Sequence, residues 1–116
     1  MDKKNLTAEK TFALAVQNQK KNNFKIAENL YKKTLRIKPN HVEAHNNLGI
    51  ILLRSGKPLK AKICYEKVIQ INPDNEIAHN NLGNAFNLLR EYQKAKNSYQ
   101  KAIQIKPNYV SAHNNL

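Results

Sequence analysis

The chain has 116 residues, of which 41% are hydrophobic and 24% are charged, enough for one compact domain or a short array of small units. No run of 18 apolar residues occurs and the first residues lack the apolar core of a signal peptide, so the sequence predicts a cytoplasmic protein with no membrane partner. Cys64 is the only cysteine, which excludes an internal disulfide and argues against a cysteine metal site.

The formal net charge of +12 raises the question of nucleic acid. The basic residues are 17 lysines and 3 arginines, whereas arginine is the residue favoured for bidentate phosphate contacts. Lys, Asn and Ile are also the residues that AT-rich codons favour, so genome composition can supply much of the excess. The composition therefore does not favour nucleic acid as the partner.

In chain order, the predicted elements are helix pairs. A lead-in over residues 1–7 comes first, and apolar periodicity then predicts helices near 8–21, 25–37, 42–54, 59–71, 76–89 and 93–105, with a last half-helix from about 109. The breaks inside the pairs are Asn22-Asn23, Ser55-Gly56-Lys57-Pro58 and Arg90-Glu91. Between the pairs, the residues after three prolines are predicted as helix N-caps: Asn40, Asp74 and Asn108.

One stretch recurs at a fixed period. Ala44-His45-Asn46-Asn47-Leu48-Gly49 returns 34 residues later from Ala78 to Gly83, and again from Ala112 to Leu116. A fixed period of this size is typical of a stacked repeat array. The sequence therefore predicts a single array over 8–116, with units at about 8–41, 42–75 and 76–109 and a truncated fourth unit over 110–116.

Gly49 and Gly83 lie inside predicted helices, where a glycine costs about 1 kcal/mol relative to alanine. A helix accepts that cost where another backbone must approach closely. The facing stripe in the paired helix contains Tyr65 and Tyr99 between small residues. We therefore expect each glycine to pack on the paired helix of its own unit.

The chain resembles the tetratricopeptide repeat in the order of its residues, which reads Leu48-Gly49…Leu52…Ala61…Tyr65…Val68…Pro73 and then Leu82-Gly83…Phe86…Ala95…Tyr99…Ala102…Pro107. The first unit matches more loosely, as Leu14-Ala15…Asn18…Ala27…Tyr31…Thr34…Pro39. This resemblance implies an all-α fold, a right-handed superhelical solenoid of antiparallel helix pairs. It also implies that the first helix of each pair lines an inner, concave wall that binds extended peptides.

The face of the first helices that points away from the packing stripe carries repeated amides. Asparagine can pair with a peptide backbone whatever its sequence, and this arrangement resembles the asparagine ladder of the O-linked N-acetylglucosamine transferases. The alternative is that the amides are structural and bond a neighbouring helix. The candidate peptide-binding residues are Asn47, Ile50, Arg54, Ile77, Asn81, Asn84, Leu88 and Asn115.

The three repeated histidines, His45, His79 and His113, do not predict a metal site. Neighbouring units stack about 8–10 Å apart, whereas a metal–nitrogen bond is about 2 Å long. The serines are scattered and no glycine-rich phosphate loop occurs. We therefore expect no catalytic residue, no metal, no cofactor and no enzymatic activity within these residues.

The sequence thus predicts a scaffold, a protein–protein interaction module that binds an extended peptide through the asparagine ladder. One alternative is the substrate-recruiting N-terminal arm of a larger transferase whose catalytic domain lies elsewhere. Another is weak polyanion binding through the second helices, to which twelve of the twenty basic residues are assigned. Because no polar capping helix follows Leu116, we also expect either a longer native chain or self-association through that end.

Overall fold

The structure, a computed structural model, describes residues 3–116 apart from the side chains of residues 4–6. The described residues form seven α-helices and no strand, so the predicted all-α solenoid of helix pairs is confirmed. The helix bounds agree with the prediction to one residue except at α1, which begins at Lys3 within the predicted lead-in, whose Met1 and Asp2 lie outside the described residues. The helices are α1 Lys3–Lys20, α2 Phe24–Ile37, α3 Val42–Arg54, α4 Pro58–Ile71, α5 Glu76–Leu88, α6 Tyr92–Ile105 and α7 Val110–Asn115.

The helices form two layers, with first helices α1, α3, α5 and α7 in one and second helices α2, α4 and α6 in the other. The first helices α1, α3 and α5 each pack on the second helix of their own unit, and each second helix packs on the next first helix. In addition α3 contacts α5 and α5 contacts α7, whereas no comparable contact joins α2 to α4 or α4 to α6 within the described residues. The first helices are therefore on the inner side of the curved array. Their exposed surface is called the inner wall below, and that of the second helices the outer face.

Each unit is held together by a tyrosine that inserts under the first helix. Tyr31, Tyr65 and Tyr99 are at most 2% exposed. A Cβ atom added to Gly49 would lie 2.5 Å from Cε1 of Tyr65, and one added to Gly83 would lie 2.5 Å from Cε1 of Tyr99. Both distances are far shorter than van der Waals contact, so in these two units glycine allows the ring to approach this closely, whereas the first unit has Ala15 at the same register. The expected packing of each glycine on the paired helix of its own unit is confirmed.

The turn inside each pair contains one residue in the left-handed region, at the same register in all three units. These residues are Asn22, Gly56 and Arg90, with φ angles of 65°, 75° and 61°. In the middle unit, the N–H of Lys57 reaches back to the carbonyl of Leu52 at 2.9 Å, as in a Schellman motif. The predicted breaks at these positions are confirmed, and only the middle unit uses the residue type that adopts this conformation without strain.

The predicted N-caps are wrong by one residue: the caps are His41, Asn75 and Tyr109 instead of Asn40, Asp74 and Asn108. The residue after each proline belongs to a turn, which in the first loop is closed by the N–H of His41 and the carbonyl of Lys38 at 3.1 Å. The helix can begin only after that turn. Its N–H groups are then capped by the side chains of His41, 3.1 Å from the nitrogen of Ala44, and Asn75, 2.8 Å from that of Ala78.

The repeated histidines fasten the same loops. Nε2 of His45, His79 and His113 lies 2.7, 2.9 and 2.7 Å from the carbonyl oxygen of the proline six residues earlier. A carbonyl can only accept, so Nε2 carries the hydrogen and donates it. These ring nitrogens therefore have a structural partner in every unit. Within residues 3–116, none of the helices is both long and apolar enough to cross a membrane.

The inner wall as candidate functional site

Each first helix presents one line of side chains to the inner wall, spaced by three or four residues. In α3 the line is Glu43, Asn47, Ile50 and Arg54, and in α5 it is Ile77, Asn81, Asn84 and Leu88. Ile77 and Leu88 are 44% and 57% exposed, and Arg54 and Asn115 are also exposed. Asn47, Ile50 and Asn84 are half-buried. Because α3, α5 and α7 are neighbours, the predicted site residues other than the buried Asn81 lie on one continuous surface.

Asn81, which the sequence predicts to contact the peptide, is instead buried. The residue is 9% exposed, and its Nδ2 is buried without a hydrogen-bond partner among the described residues. One unit further on, Nδ2 of Asn115 donates to Oδ1 of Asn80 at 3.1 Å. The corresponding acceptor for Asn81 is Oδ1 of Asn46, which is also buried and unpartnered in the described residues. The close approach of α3 and α5 therefore places the Asn81 amide between helices rather than in solvent.

The hydroxyl group of each buried tyrosine lies behind the inner wall and forms what we call a tyrosine node. In the first unit, the Tyr31 hydroxyl donates to Oε1 of Gln19 and accepts from Nδ2 of Asn47 at 3.2 Å. In the third unit, the Tyr99 hydroxyl donates to Oδ1 of Asn84 at 2.6 Å and accepts from Nδ2 of Asn87 at 3.0 Å. Burial raises the pKa of both phenols, so both stay protonated.

In the middle node, apolar residues replace two of these partners: Leu53 stands at the register of Gln19 and Asn87, and Ile50 at that of Asn84. Asn81 stands at the register of Asn47, but its Nδ2 and the Tyr65 hydroxyl are both buried with no hydrogen-bond partner in the described part of the chain. Burial raises the pKa of Tyr65 strongly. Sequence reasoning missed the nodes, although the polar residues at fixed distances from Tyr31 and Tyr99 are the signal that points to them.

The amide groups of the inner wall thus already form some hydrogen bonds within the protein. Asn47 uses one of its two N–H groups on Tyr31, and Asn84 uses its carbonyl for Tyr99 and, at 3.3 Å, for Asn115. An asparagine side chain has two N–H hydrogens and two carbonyl lone pairs. The carbonyl of Asn47 and the amino group of Asn84 therefore remain as hydrogen-bonding capacity on the wall.

Charge on the wall is divided between its two edges. Glu43 is exposed in the first turn of α3, and Glu9 occupies the same register in α1. At the other end of α3, the guanidinium carbon of Arg54 lies 4.5 Å from the ring centroid of Phe24, a cation–π contact that fixes its position. In α5 the corresponding positions are the apolar Ile77 and Leu88. The wall is therefore charged at the middle unit and apolar at the third.

Cys64, the one thiol, does not contribute to this surface. It is 8% exposed, and burial raises its pKa to about 11. A protonated thiol is a poor nucleophile and a poor ligand at neutral pH. Its role is packing in the core, where the other units have Leu30 and Ser98.

The family model of the tetratricopeptide repeat matches residues 42–75 and 77–109, which together make up more than half of the chain. The chain belongs to the tetratricopeptide repeat family. No curated protein matches its sequence. The first helices of this tetratricopeptide array therefore correspond to the helices that the sequence resemblance assigns to the concave wall.

Several solved tetratricopeptide structures share the fold. The first such domain of Spaghetti (RPAP3), bound to the HSP90 peptide SRMEEVD, has a TM-score of 0.89 at 20% identity over 92% of this chain and 85% of its own. The Sgt2 domain of Aspergillus fumigatus has a TM-score of 0.89 at 23% identity, over 95% and 74%. The O-GlcNAc transferase of Thermobaculum terrenum has a TM-score of 0.91 at 22% identity, over 97% of this chain and 22% of its own. At these identities the likeness concerns the fold alone.

Proposed function

We propose that this tetratricopeptide array is a protein–protein interaction module that holds an extended peptide along the inner wall. The observation that carries the proposal is the continuous line of amides and exposed apolar side chains where α3, α5 and α7 meet. An exposed Ile77 and Leu88 on either side of Asn84 give a peptide both apolar contact and hydrogen-bonding groups. The peptide-bound RPAP3 domain supports such a use of the fold.

Asn47, Asn84 and Asn115 are the proposed amide contacts. Successive first helices lie roughly 8–10 Å apart, which matches about three residues of extended chain at about 3.3 Å each. The buried Asn81 has a supporting role, because it fills the gap between α3 and α5 on which the wall is built. Ile50, Ile77 and Leu88 supply the apolar contacts, and Arg54 the polar edge.

The chemistry of the wall favours a neutral, partly apolar peptide. Glu43 repels carboxylates at one edge of α3, and the exposed Arg54 is the single cation at the other edge of α3, where α5 has the apolar Leu88. A peptide with several carboxylates, such as the SRMEEVD that the RPAP3 domain binds, would therefore find only one cation at these positions. A peptide with an aliphatic residue over α5 would instead cover Ile77 or Leu88.

The test replaces the apolar edge of α5 by the residues that α3 has at the same register. Ile77→Glu/Leu88→Arg copies Glu43 and Arg54, so the helix is expected to fold as before. Peptides selected from a random display library on the wild-type chain are labelled, and their Kd is measured by fluorescence anisotropy. Burial of an aliphatic side chain is worth about 1.5–3 kcal/mol, so the variant should weaken wall-binding peptides roughly tenfold or more.

An unchanged Kd for every selected peptide, at an unchanged melting temperature, would reject the inner wall as the binding site. The matched control is an exposed apolar pair on the opposite side of the array, Leu59 and Ile63 in α4. Replacing these two residues should leave wall-binding peptides unaffected. Asn47→Ala should cost a further two- to tenfold in Kd, about 0.5–1.5 kcal/mol for one net hydrogen bond.

A second candidate is that the array is the substrate-recruiting arm of a larger transferase. This chain covers 22% of the length of the O-GlcNAc transferase that shares its fold, so an array of this kind can form one part of a larger enzyme. The binding chemistry would be the same, but the bound peptide would be a substrate. Reading the coding sequence beyond Leu116 decides between the two, since this candidate requires a transferase domain there.

A further inference from the structure

The outer face of α4 carries two exposed aliphatic residues that the other units lack. Leu59 and Ile63 are 62% and 65% exposed and lie one turn apart. At the same register, α2 has Lys25 and Asn29, and α6 has Gln93 and Asn97. The fold therefore does not require apolar residues at these positions. Among the described residues, the other second helices each have one exposed large apolar residue, Ile26 in α2 and Tyr92 in α6, but α4 has two of them one turn apart, and this pair needs another explanation.

Lysines surround this apolar pair. Ile63 is flanked on α4 by Lys60 and Lys67, three and four residues away, which are adjacent to it on a helical surface. Within the described side chains, neither lysine has a carboxylate within ion-pair distance. In α2, by contrast, Glu28 is 2.8 Å from Lys32 and 3.9 Å from Lys25, and its register position in α4 is Lys62. Glu66 is the single carboxylate of α4 and lies three residues from Ile63, but Lys60, Lys62 and Lys67 outnumber it, so the middle unit combines exposed apolar surface with an excess of positive charge.

A groove next to Ile63 could hold an apolar side chain of a binding partner. It is an open groove of about 490 Å³, lined by Ile63, Glu66, Lys67, Ile69 and Gln70. The corresponding groove on α6 has Asn97 in place of Ile63. Of these two grooves, only the one on α4 is lined by two isoleucines.

We propose that the outer face of α4, with Leu59, Ile63 and the adjacent groove, docks an acidic amphipathic segment of another protein. Two apolar side chains of the segment cover Leu59 and fill the groove beside Ile63, and its carboxylates pair with Lys60 and Lys67. A second copy of this chain does not fit, because it would bring the same lysines and another net charge of +12 against them. A flat lipid surface has no side chain to enter the groove. This docking site is separate from the inner wall.

The test uses the full chain and a matched pair of variants. Leu59→Gln/Ile63→Asn copies Gln93 and Asn97 of the next unit, so it is expected to fold like the wild type. Peptides are selected from a random display library on the wild-type chain at low salt, and their Kd is measured by fluorescence anisotropy. We expect a group enriched in Asp and Glu with apolar residues three or four positions apart. Its affinity should fall roughly tenfold or more in this variant.

The same peptides should bind Lys60→Gln/Lys67→Gln more weakly and Ile77→Glu/Leu88→Arg as tightly as the wild type. The proposal is overturned if no selected acidic peptide distinguishes Leu59→Gln/Ile63→Asn from the wild type. It is also overturned if vesicles of phosphatidylcholine and phosphatidylserine bind through Leu59 and Ile63 while no peptide does. Sedimentation showing that these two residues drive dimerisation would likewise replace the acidic segment by a second copy.

Discussion

At the scale of single residues, the tyrosine nodes show that identical residues at the same register can have different energetic roles. Tyr31 and Tyr99 have polar partners for their hydroxyl groups, whereas the Tyr65 hydroxyl is buried without one in the described residues. An unsatisfied buried polar group costs about 1–3 kcal/mol, whereas a satisfied one contributes about 0.5–1.5 kcal/mol. The same phenol hydroxyl therefore stabilises the fold in one unit and destabilises it in another.

Replacing these tyrosines by phenylalanine tests this difference. Tyr65→Phe removes a hydroxyl with no partner, and we expect the free energy of unfolding to stay the same or rise. Tyr99→Phe leaves Asn84 and Asn87 without their shared partner, and should lower it by about 1 kcal/mol. Urea titrations of the two variants give the comparison, and an equal loss in both would show that the Tyr65 hydroxyl is bonded in solution.

Arg90 offers a second test, since it adopts a φ of 61° in the turn where Gly56 adopts 75°. A non-glycine residue in the left-handed region costs roughly 1–2 kcal/mol, and a glycine would remove this strain. A glycine is also more flexible in the unfolded chain, which lowers the stability of the folded state by about 0.5–1 kcal/mol. Arg90→Gly should therefore raise the free energy of unfolding by up to about 1 kcal/mol. Asn22→Gly is the control and should gain less, because asparagine tolerates this region. A loss of stability in Arg90→Gly would contradict the strain.

At the scale of elements, α3 is joined to the first unit through its own cap. Nδ1 of His41 accepts from the N–H of Ala44, while Nε2 lies 3.1 Å from the Glu9 carboxylate and the ring centroid lies 4.5 Å from that of Phe12. His41→Asn copies Asn75, so it should keep the cap and lose only the contacts to α1. His41→Ala loses both and should be less stable than His41→Asn by about 1 kcal/mol. Thermal unfolding of the pair measures the cap alone, and equal melting temperatures would assign the whole effect to Glu9 and Phe12.

Helix existence and pairing could be predicted here because they depend on local periodicity, which the 34-residue repeat shows three times. The caps could not, because the residue after each proline suits both an N-cap and a turn, and the closing N–H of His41 decides between them. The burial of Asn81 depends on the approach of two helices that are not consecutive, α3 and α5, and nothing in the local pattern contains that distance. The docking surface on α4 required knowing which apolar residues stay uncovered.

At the scale of the whole molecule, stability should depend on pH through His45. Burial, together with the positive charge of Lys67, lowers the pKa of this imidazole below its ordinary value, so the folded state favours the neutral ring. Unfolded histidine, with a pKa of about 6.5, then binds protons more readily than the folded one. The contribution of His45 to the free energy of unfolding is therefore fully present above about pH 6.5 and decreases as the pH falls below it.

His45→Gln keeps a side-chain N–H that can reach the Pro39 carbonyl but cannot titrate. Between neutral pH and about pH 5 the wild type should lose stability that the variant keeps, because only His45 titrates. The excess of the wild-type urea midpoint over that of the variant should therefore become smaller or change sign. At lower pH, Glu28 adds a further loss, because the hydrogen bond from Lys32 lowers its pKa and that stabilisation disappears on protonation. A difference that stays constant over this range would exclude His45 as a source of the pH dependence.

The net charge makes a separate prediction about polyanions. The lysines of the outer face are spread over three second helices, on which Tyr92 is the only exposed aromatic residue in the described chain, so they supply phosphate contacts but no series of aromatic residues on which bases could stack. Binding of DNA or RNA should be weak, insensitive to sequence and steeply dependent on salt, because it is driven by counterion release. Fluorescence anisotropy with unrelated oligonucleotides at rising salt checks this, and selective binding at physiological salt would contradict it.

The tyrosine nodes also bear on how the chain diversified. Tyr99 finds both of its partners, Asn84 and Asn87, within its own unit, and in the middle unit Ile50 and Leu53 replace that pair together. A node of this kind can therefore change from polar to apolar by substitutions within one unit, without a compensating mutation in a neighbour. The first node differs, because Tyr31 also accepts a hydrogen bond from Asn47 of the next unit. Copying one unit during recombination would transfer a complete node of the third kind, but not one of the first. The near-identical asparagine stretch beside divergent nodes is the record expected of duplication followed by independent change in each copy.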